Sequence, residues 1–257
     1  MPRKPRKKSF TNIYHVVIRG ADRQLLFEET KDYLKFIDIL QYYKEECHFK
    51  LYAYCLMSNH VHLLIDVGNV SISSIFRHIN TQYAIWFNMK YNRTGFLLQG
   101  RFYSEPVEDI GYLFKAARYI HQNPLKAKLE SQPGEAYRWS SIHDYANETS
   151  DLVDLDYLTN HMGGTQNFLN FQCVNCSDEC LDVHNIRVRL PDDVAKEIIA
   201  NETGCATTTD FQSLSMTDRN KYLILLHKKR ISIRQLNRLT GIPIGVISRI
   251  IKNNKNA

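Results

Sequence analysis

No stretch of the 257-residue chain is apolar over the roughly 20 residues that a bilayer crossing requires, so no membrane-spanning helix is expected. The opening segment, MPRKPRKKSF, is charged with no apolar stretch behind it, which does not read as a secretory leader. The cytoplasm is the expected compartment. Cysteine is sparse and unevenly placed, at Cys47, Cys55, Cys173, Cys176, Cys180 and Cys205, so free thiols are expected rather than a disulfide framework. Internal repeats and low-complexity tracts are missing, which excludes solenoid architectures. Acidic side chains are missing from one long segment: residues 219–257 carry ten Lys/Arg and no Asp or Glu.

What is present is ordinary for a folded protein, with 44% hydrophobic and 23% charged residues. The length suits a core of about 150 residues plus a smaller piece. The net charge of +6 is unevenly divided. Residues 146–218 are acidic, and positive charge returns before them, with Arg3, Lys4, Arg6, Lys7 and Lys8 together in the first ten positions. Two basic segments separated by an acidic one suggest two contacts with a polyanion, although solvated basic faces would give the same pattern.

Residues 1–10 read as a flexible basic arm, since Pro2 and Pro5 stand among the charges without a core-forming pattern. TNIYHVVIR (11–19) is β-branched and aromatic and reads as a strand closed by Gly20. Leu34, Ile37, Leu40 and Tyr43 recur at helical spacing between Glu28 and Cys47. FKLYAYCLM (49–57), the Ser58-Asn59 turn and HVHLLID (60–66) form an expected hairpin. A second helix is expected over 72–91. RFYSEPV (101–107) reads as an edge strand because Pro106 cannot donate to a ladder. A third helix begins at an Asp109 cap and ends by Asn123, ahead of Pro124. This order predicts an α+β fold: an antiparallel sheet with helices packed on one face. The expected divisions are the arm (1–10), this core domain (11–145), an acidic linker with helical segment (146–216) and a small all-α domain (217–257).

His60 and His62 lie two apart on a strand and project from one face, opposite Val61, Leu63 and Ile65. They therefore sit away from the main core, where they can offer two ligands to a metal or simply be hydrogen-bonded. On the third helix, Leu113, Phe114, Ala117, Ile120 and His121 share the apolar side. Tyr119 falls at about 180° and Asn123 at about 220° from Ile110. A surface tyrosine would look the same as one that faces the histidines.

Four ordered segments, NIYHVVIRG, YCLMSNHVHLLI, GRFYSEPV and ARYIHQNP, resemble the single-tyrosine HUH transposases and, within them, the REP-associated tyrosine transposase group. The resemblance spans roughly residues 9–130. It implies a ferredoxin-like HUH core and a metal-dependent transposase that cuts and rejoins single-stranded or hairpin DNA. Tyr119 matches the nucleophile, and His60 and His62 match the ligand pair for Mg²⁺ or Mn²⁺. Asn123 matches the third ligand. Arg19 and Arg101 lie within the matching motifs and can line the DNA path, as can the basic arm. A non-catalytic protein that recognises repeat or hairpin DNA is the alternative.

ISIRQLNRLTGIPIGVISRIIKN reads as helix, turn, helix, with Ser232 as a cap and Gly241 in the turn. The pattern resembles a helix-turn-helix reader of duplex DNA, in which Ser248 and Arg249 would make contacts. It departs at Asn237, where a small residue is usual. Cys173, Cys176, Cys180 and His184 leave a zinc knuckle open. The oligomeric state is not legible.

Overall fold

The computed structural model describes residues 6–174, 180, 192–205, 207–229 and 231–255. The chain divides into two compact units: Met1–Leu26 with Lys31–Val188, and Phe27–Thr30 with Arg189–Ala257. The boundary expected at 145/146 is therefore displaced. Helices of the acidic stretch 146–173 pack within the first unit, and those beyond Asp192 pack within the second. Charge is a property of the surface and did not mark where the packing changes.

The first unit is built on β1 (Ile13–Arg19), β2 (Lys50–Met57), β3 (His60–Asp66) and β4 (Tyr103–Pro106). They form one antiparallel sheet in the order β2-β3-β1-β4. Helix α1 (Thr30–Cys47) connects β1 to β2, and α2 (Ile72–Lys90) connects β3 to β4. Strand β4 stands at an edge, as Pro106 requires. One face of the sheet carries Val16, Ile18, Val61, Leu63 and Ile65, all fully buried. Helices α1 and α2 meet through Phe36 and Tyr83, edge to face at 5.1 Å, and bury Ile39, Leu40, Ile75, Phe76 and Ile79.

The register brings different residues to the other face. Val17 stands opposite His62, and Arg19 opposite His60. Beyond a register shift between Leu51 and Ala53, Cys55 and Met57 stand opposite His62 and His60. The outer edge of β2 is capped by the later chain. Leu56 N donates to the Trp139 carbonyl (2.9 Å), Ser141 N to the Tyr54 carbonyl (3.0 Å) and Asp154 N to the Leu51 carbonyl (2.8 Å). At the end of β1, Gly20 N donates to the Asn59 carbonyl at 3.0 Å. Only glycine fits there, because a Cβ would fall 2.2 Å from the Gln24 carbonyl oxygen.

Helix α3 (Ile110–His121) starts at Asp109, whose carboxylate accepts from Tyr112 N at 2.8 Å. The chain turns at Gln122 into the short α4 (Asn123–Lys126). Three further helices follow among the described residues of the unit: α5 (Ile142–Asn147), α6 (Leu155–His161) and α7 (Thr165–Cys173). Helix α3 lies over β2 and β3 and also packs on α7. Its Phe114 meets Phe171, and its His121 meets Phe168.

The part of the arm within the described residues, 6–10, which was expected to be flexible, is held by specific contacts. Ser9 N donates to Tyr14 Oη (2.8 Å), Phe10 N donates to the Glu108 carboxylate, and Arg6 lies 3.7 Å over the Phe102 ring. Glu108 and Phe102 supply the partners that a sequence pattern does not reveal.

Among the described residues, the regular structure of the second unit is helical: α8 (Asp192–Thr203), α9 (Thr208–Ser213), α10 (Met216–Lys228), α11 (Ile233–Thr240) and α12 (Ile244–Lys255). Ile199, Phe211, Leu223, Leu226, Leu236, Ile242 and Ile247 form its core. Ser232 and Gln235 form a capping box at α11, and Gly241 ends that helix at φ +69°. Asn237 has a positive role where a small residue was expected: its amide donates to the Ile242 carbonyl at 2.9 Å and latches the turn. No helix among the described residues is long and apolar enough to cross a membrane.

Candidate active site

The two central strands gather three histidines, because diagonal neighbours on a ladder are within reach of one another. His15, His60 and His62 are all buried. The side chains expected off the core are thus enclosed, because α3 covers the face that carries them. His15 Nε2 and His62 Nδ1 are 3.0 Å apart, and His60 Nδ1 is 2.8 Å from Asn59 Oδ1. The His60 and His62 rings meet edge to face with centroids 5.0 Å apart. His62 Nε2 is buried and makes no hydrogen bond. Burial holds the His62 pKa well below the usual imidazole range, and His60, His15, Lys126 and Arg19 push the same way. His62 is therefore neutral at neutral pH, the state a metal ligand requires.

Tyr119 comes to this cluster from above. Its ring lies 5.6 Å from that of His62 and 5.8 Å from that of His15, and it is only 3% exposed. The opposite side of α3 is occupied by α7, so the helix is enclosed on two sides and its tyrosine is not a surface residue. Lys126, exposed on α4, places Nζ 3.7 Å over the Tyr119 ring. Asn123 is buried one turn beyond Tyr119, and its amide nitrogen donates to the Tyr119 carbonyl at 2.8 Å. That bond leaves Oδ1 as the atom Asn123 can offer a cation.

The donor set suits a divalent ion: two imidazoles on a rigid sheet, one of them with a buried Nε2 that makes no hydrogen bond, and the amide oxygen of Asn123 one turn beyond Tyr119. Among the described residues, no three His, Cys, Asp or Glu side chains are arranged to hold a metal. A cation here would rely on the two histidines plus oxygen from amide, phosphate or water. Cys173 is exposed and Cys180 partly buried, while Cys176 and His184 lie outside the described residues.

The basic candidates separate by environment. Arg3 and Lys4 lie outside the described residues, and Lys7 and Lys8 are exposed. Arg6 donates to Ser73 Oγ and to the Phe102 carbonyl, both at 3.1 Å. Burial and the neighbouring Arg101 charge lower its pKa. Arg6 and Arg101 line an open pocket of about 510 Å³ with Gln99, Phe102, Tyr103 and Ser104. Arg19 shares the histidine face, opposite His60. In the second unit Ser248 is half-buried and Arg249 exposed.

Two members of the site escaped the sequence reading. His15 was a polar residue inside the largely apolar run IYHVVI, which was the available signal, but its partner depended on register. Lys126 follows the break at Gln122, which hides its position relative to Tyr119.

Fold and site together define an α+β domain with a buried polar centre on its sheet. Residues 8–123 match the family model described as Transposase IS200 like. That segment, under half of the chain, is similar to the IS200-like transposases. The match ends at Asn123, so α4–α7 and the second unit lie outside it. Among solved structures, the chain is similar to a REP-associated tyrosine transposase bound to a REP hairpin. The identity is 19% over 57% of this chain and 86% of that one, with a TM-score of 0.49. It is also similar to a putative transposase from Deinococcus radiodurans R1, at 18% identity over 43% of this chain and 90% of that one, with a TM-score of 0.34. No curated protein matches the chain.

Proposed function

We propose that the chain cuts and rejoins single-stranded DNA, including strands presented beside hairpins, with Tyr119 as nucleophile. The observation that carries this reading is the contact of the Tyr119 ring with His62 and His15 on the sheet, inside a segment similar to a transposase family. The phenol oxygen attacks the scissile phosphorus in line with the departing 3′ oxygen. One P–O bond forms and one breaks. The phenol proton is lost and the 3′ oxygen gains one, leaving a 5′-phosphotyrosine and a free 3′-hydroxyl. The reverse attack by a 3′-hydroxyl rejoins the strand without an external energy source.

A tyrosine phenol is a weak nucleophile at neutral pH. Lys126, over the ring, favours the negative charge that develops on it. His60 and His62, with Asn123 Oδ1, would hold Mg²⁺ or Mn²⁺, which when bound supplies charge stabilisation at a non-bridging phosphate oxygen. Neutral His62 needs no deprotonation to serve as a ligand at pH 7.

Around this centre, Arg6, Arg101 and Tyr103 would line the strand path by phosphate contact and base stacking. Arg19 would act beside His60. The second unit would engage duplex DNA through α12, where Ile247 is buried in the core while Arg249 and Lys252 stay exposed.

The test is incubation of the protein with single-stranded hairpin DNA and Mn²⁺, followed by a denaturing gel. A covalent adduct is expected. Tight binding with no adduct would favour a DNA-binding protein without strand-transfer activity.

A further inference from the structure

We propose that His15 is a positioning residue for His62: its Nε2 accepts the Nδ1–H of His62 and so presents His62 Nε2 to the site as a lone pair. The inference deepens the metal reading above and rests on it.

The geometry is direct. The two nitrogens are 3.0 Å apart between fully buried rings whose centroids are 5.3 Å apart. One proton must lie between them, and it can belong to either ring. His15 Nδ1 and His62 Nε2 are both buried and make no hydrogen bond, so burial alone does not choose the donor; a cation does, because it can bind His62 Nε2 only as a lone pair. If His62 is the donor, Nε2 is a lone pair, and a cation satisfies it. The bond also fixes ring rotation, because both histidines stand on adjacent central strands, with Val17 opposite His62 and His15 opposite Leu64. His15 thus does for His62 what Asn59 does for His60: each holds the Nδ1 side of a ring whose Nε2 is the remaining ligand atom. The His15 ring also touches Tyr119 at 5.8 Å, so one side chain supports both the ligand and the proposed nucleophile.

The experiment uses the full chain and three variants: His15→Gln, whose amide can reach the Nε2 position, His15→Asn, which is too short to, and His15→Phe, which keeps the ring without an acceptor. Long-range ¹H–¹⁵N spectra of the metal-free protein, assigned with a His62 variant, should show His62 as the Nδ1–H tautomer. Mn²⁺ affinity by calorimetry should fall about 10- to 100-fold in His15→Phe and His15→Asn and largely return in His15→Gln. Should His15→Phe fail to fold, the Asn and Gln pair carries the comparison. An Nε2–H tautomer of His62 in the parent, or unchanged Mn²⁺ affinity in His15→Asn, overturns the proposal. If the parent binds Mn²⁺ no better than a His60→Ala, His62→Ala variant, the metal reading fails instead. The tautomer spectrum then still decides what His15 does.

Discussion

Acidification should destabilise the first unit through His121, and the size of the effect follows from its surroundings. The imidazole is fully buried, with Nδ1 3.0 Å from Gln172 Oε1 and Nε2 2.8 Å from Ser141 Oγ. Burial holds its pKa down at about 4 in the folded protein. In the unfolded chain it titrates near 6.5. Between these values the unfolded state binds a proton that the folded state refuses, so stability falls as pH falls. Each unit in that window is worth about 1.4 kcal/mol, which gives a loss of about 2 kcal/mol between pH 7 and pH 5. His62, also held low by burial, adds to the loss in the same direction. Both tryptophans, Trp86 and Trp139, lie in the first unit, so urea unfolding followed by their fluorescence reports on it. His121→Gln keeps polar groups beside Ser141 and Gln172 but cannot be protonated. It should be less stable than the parent at pH 7 and lose about 2 kcal/mol less on going to pH 5. An identical pH dependence in parent and variant would refute the reasoning.

Gly20→Ala should destabilise by about 1–3 kcal/mol in urea, since the added methyl must displace the Gln24 carbonyl at 2.2 Å. A change within error would show that the turn relaxes freely. His60→Ala combined with His62→Ala should abolish cleavage in Mg²⁺ or Mn²⁺ and also lower Tm, because both rings are buried. Cleavage at the parent's rate would remove the metal assignment. Arg249→Ala with Lys252→Ala should flatten the slope of log K against log salt on duplex DNA by up to about 2, with cleavage of short oligonucleotides retained. An unchanged slope would contradict duplex contact by α12.

The sheet was legible because its strands announce themselves locally. IYHVVIR and KLYAYCLM are β-branched and aromatic, and Pro106 marks an edge. The common face of His60 and His62 follows from parity alone. What surrounds that face was not legible. The histidines seemed to sit off the core because only α3's apolar stripe was visible. The structure uses both sides of α3, sending Phe114 and His121 to α7 and Tyr119 to the sheet. His15 was missed because its role depends on β1–β3 register, a pairing between segments about 47 residues apart. The contacts of residues 6–10 depend on Phe102 and Glu108, which lie 96 and 98 residues further along the chain. The acidic stretch misled about unit boundaries because Tyr145, Phe168 and Gln172, not its charges, decide where it packs.

The central claim is that Tyr119 carries the chemistry, and peptide mapping of a trapped DNA adduct tests it most directly. The full-length protein is incubated with single-stranded hairpin DNA and Mn²⁺, digested, and the DNA-modified peptide identified by mass spectrometry. The modified peptide should contain Tyr119, and Tyr119→Phe should bind the same DNA and form no adduct, while Tyr103→Phe and Tyr112→Phe still form it. A modified peptide lacking Tyr119, or an undiminished adduct in Tyr119→Phe, would contradict the account.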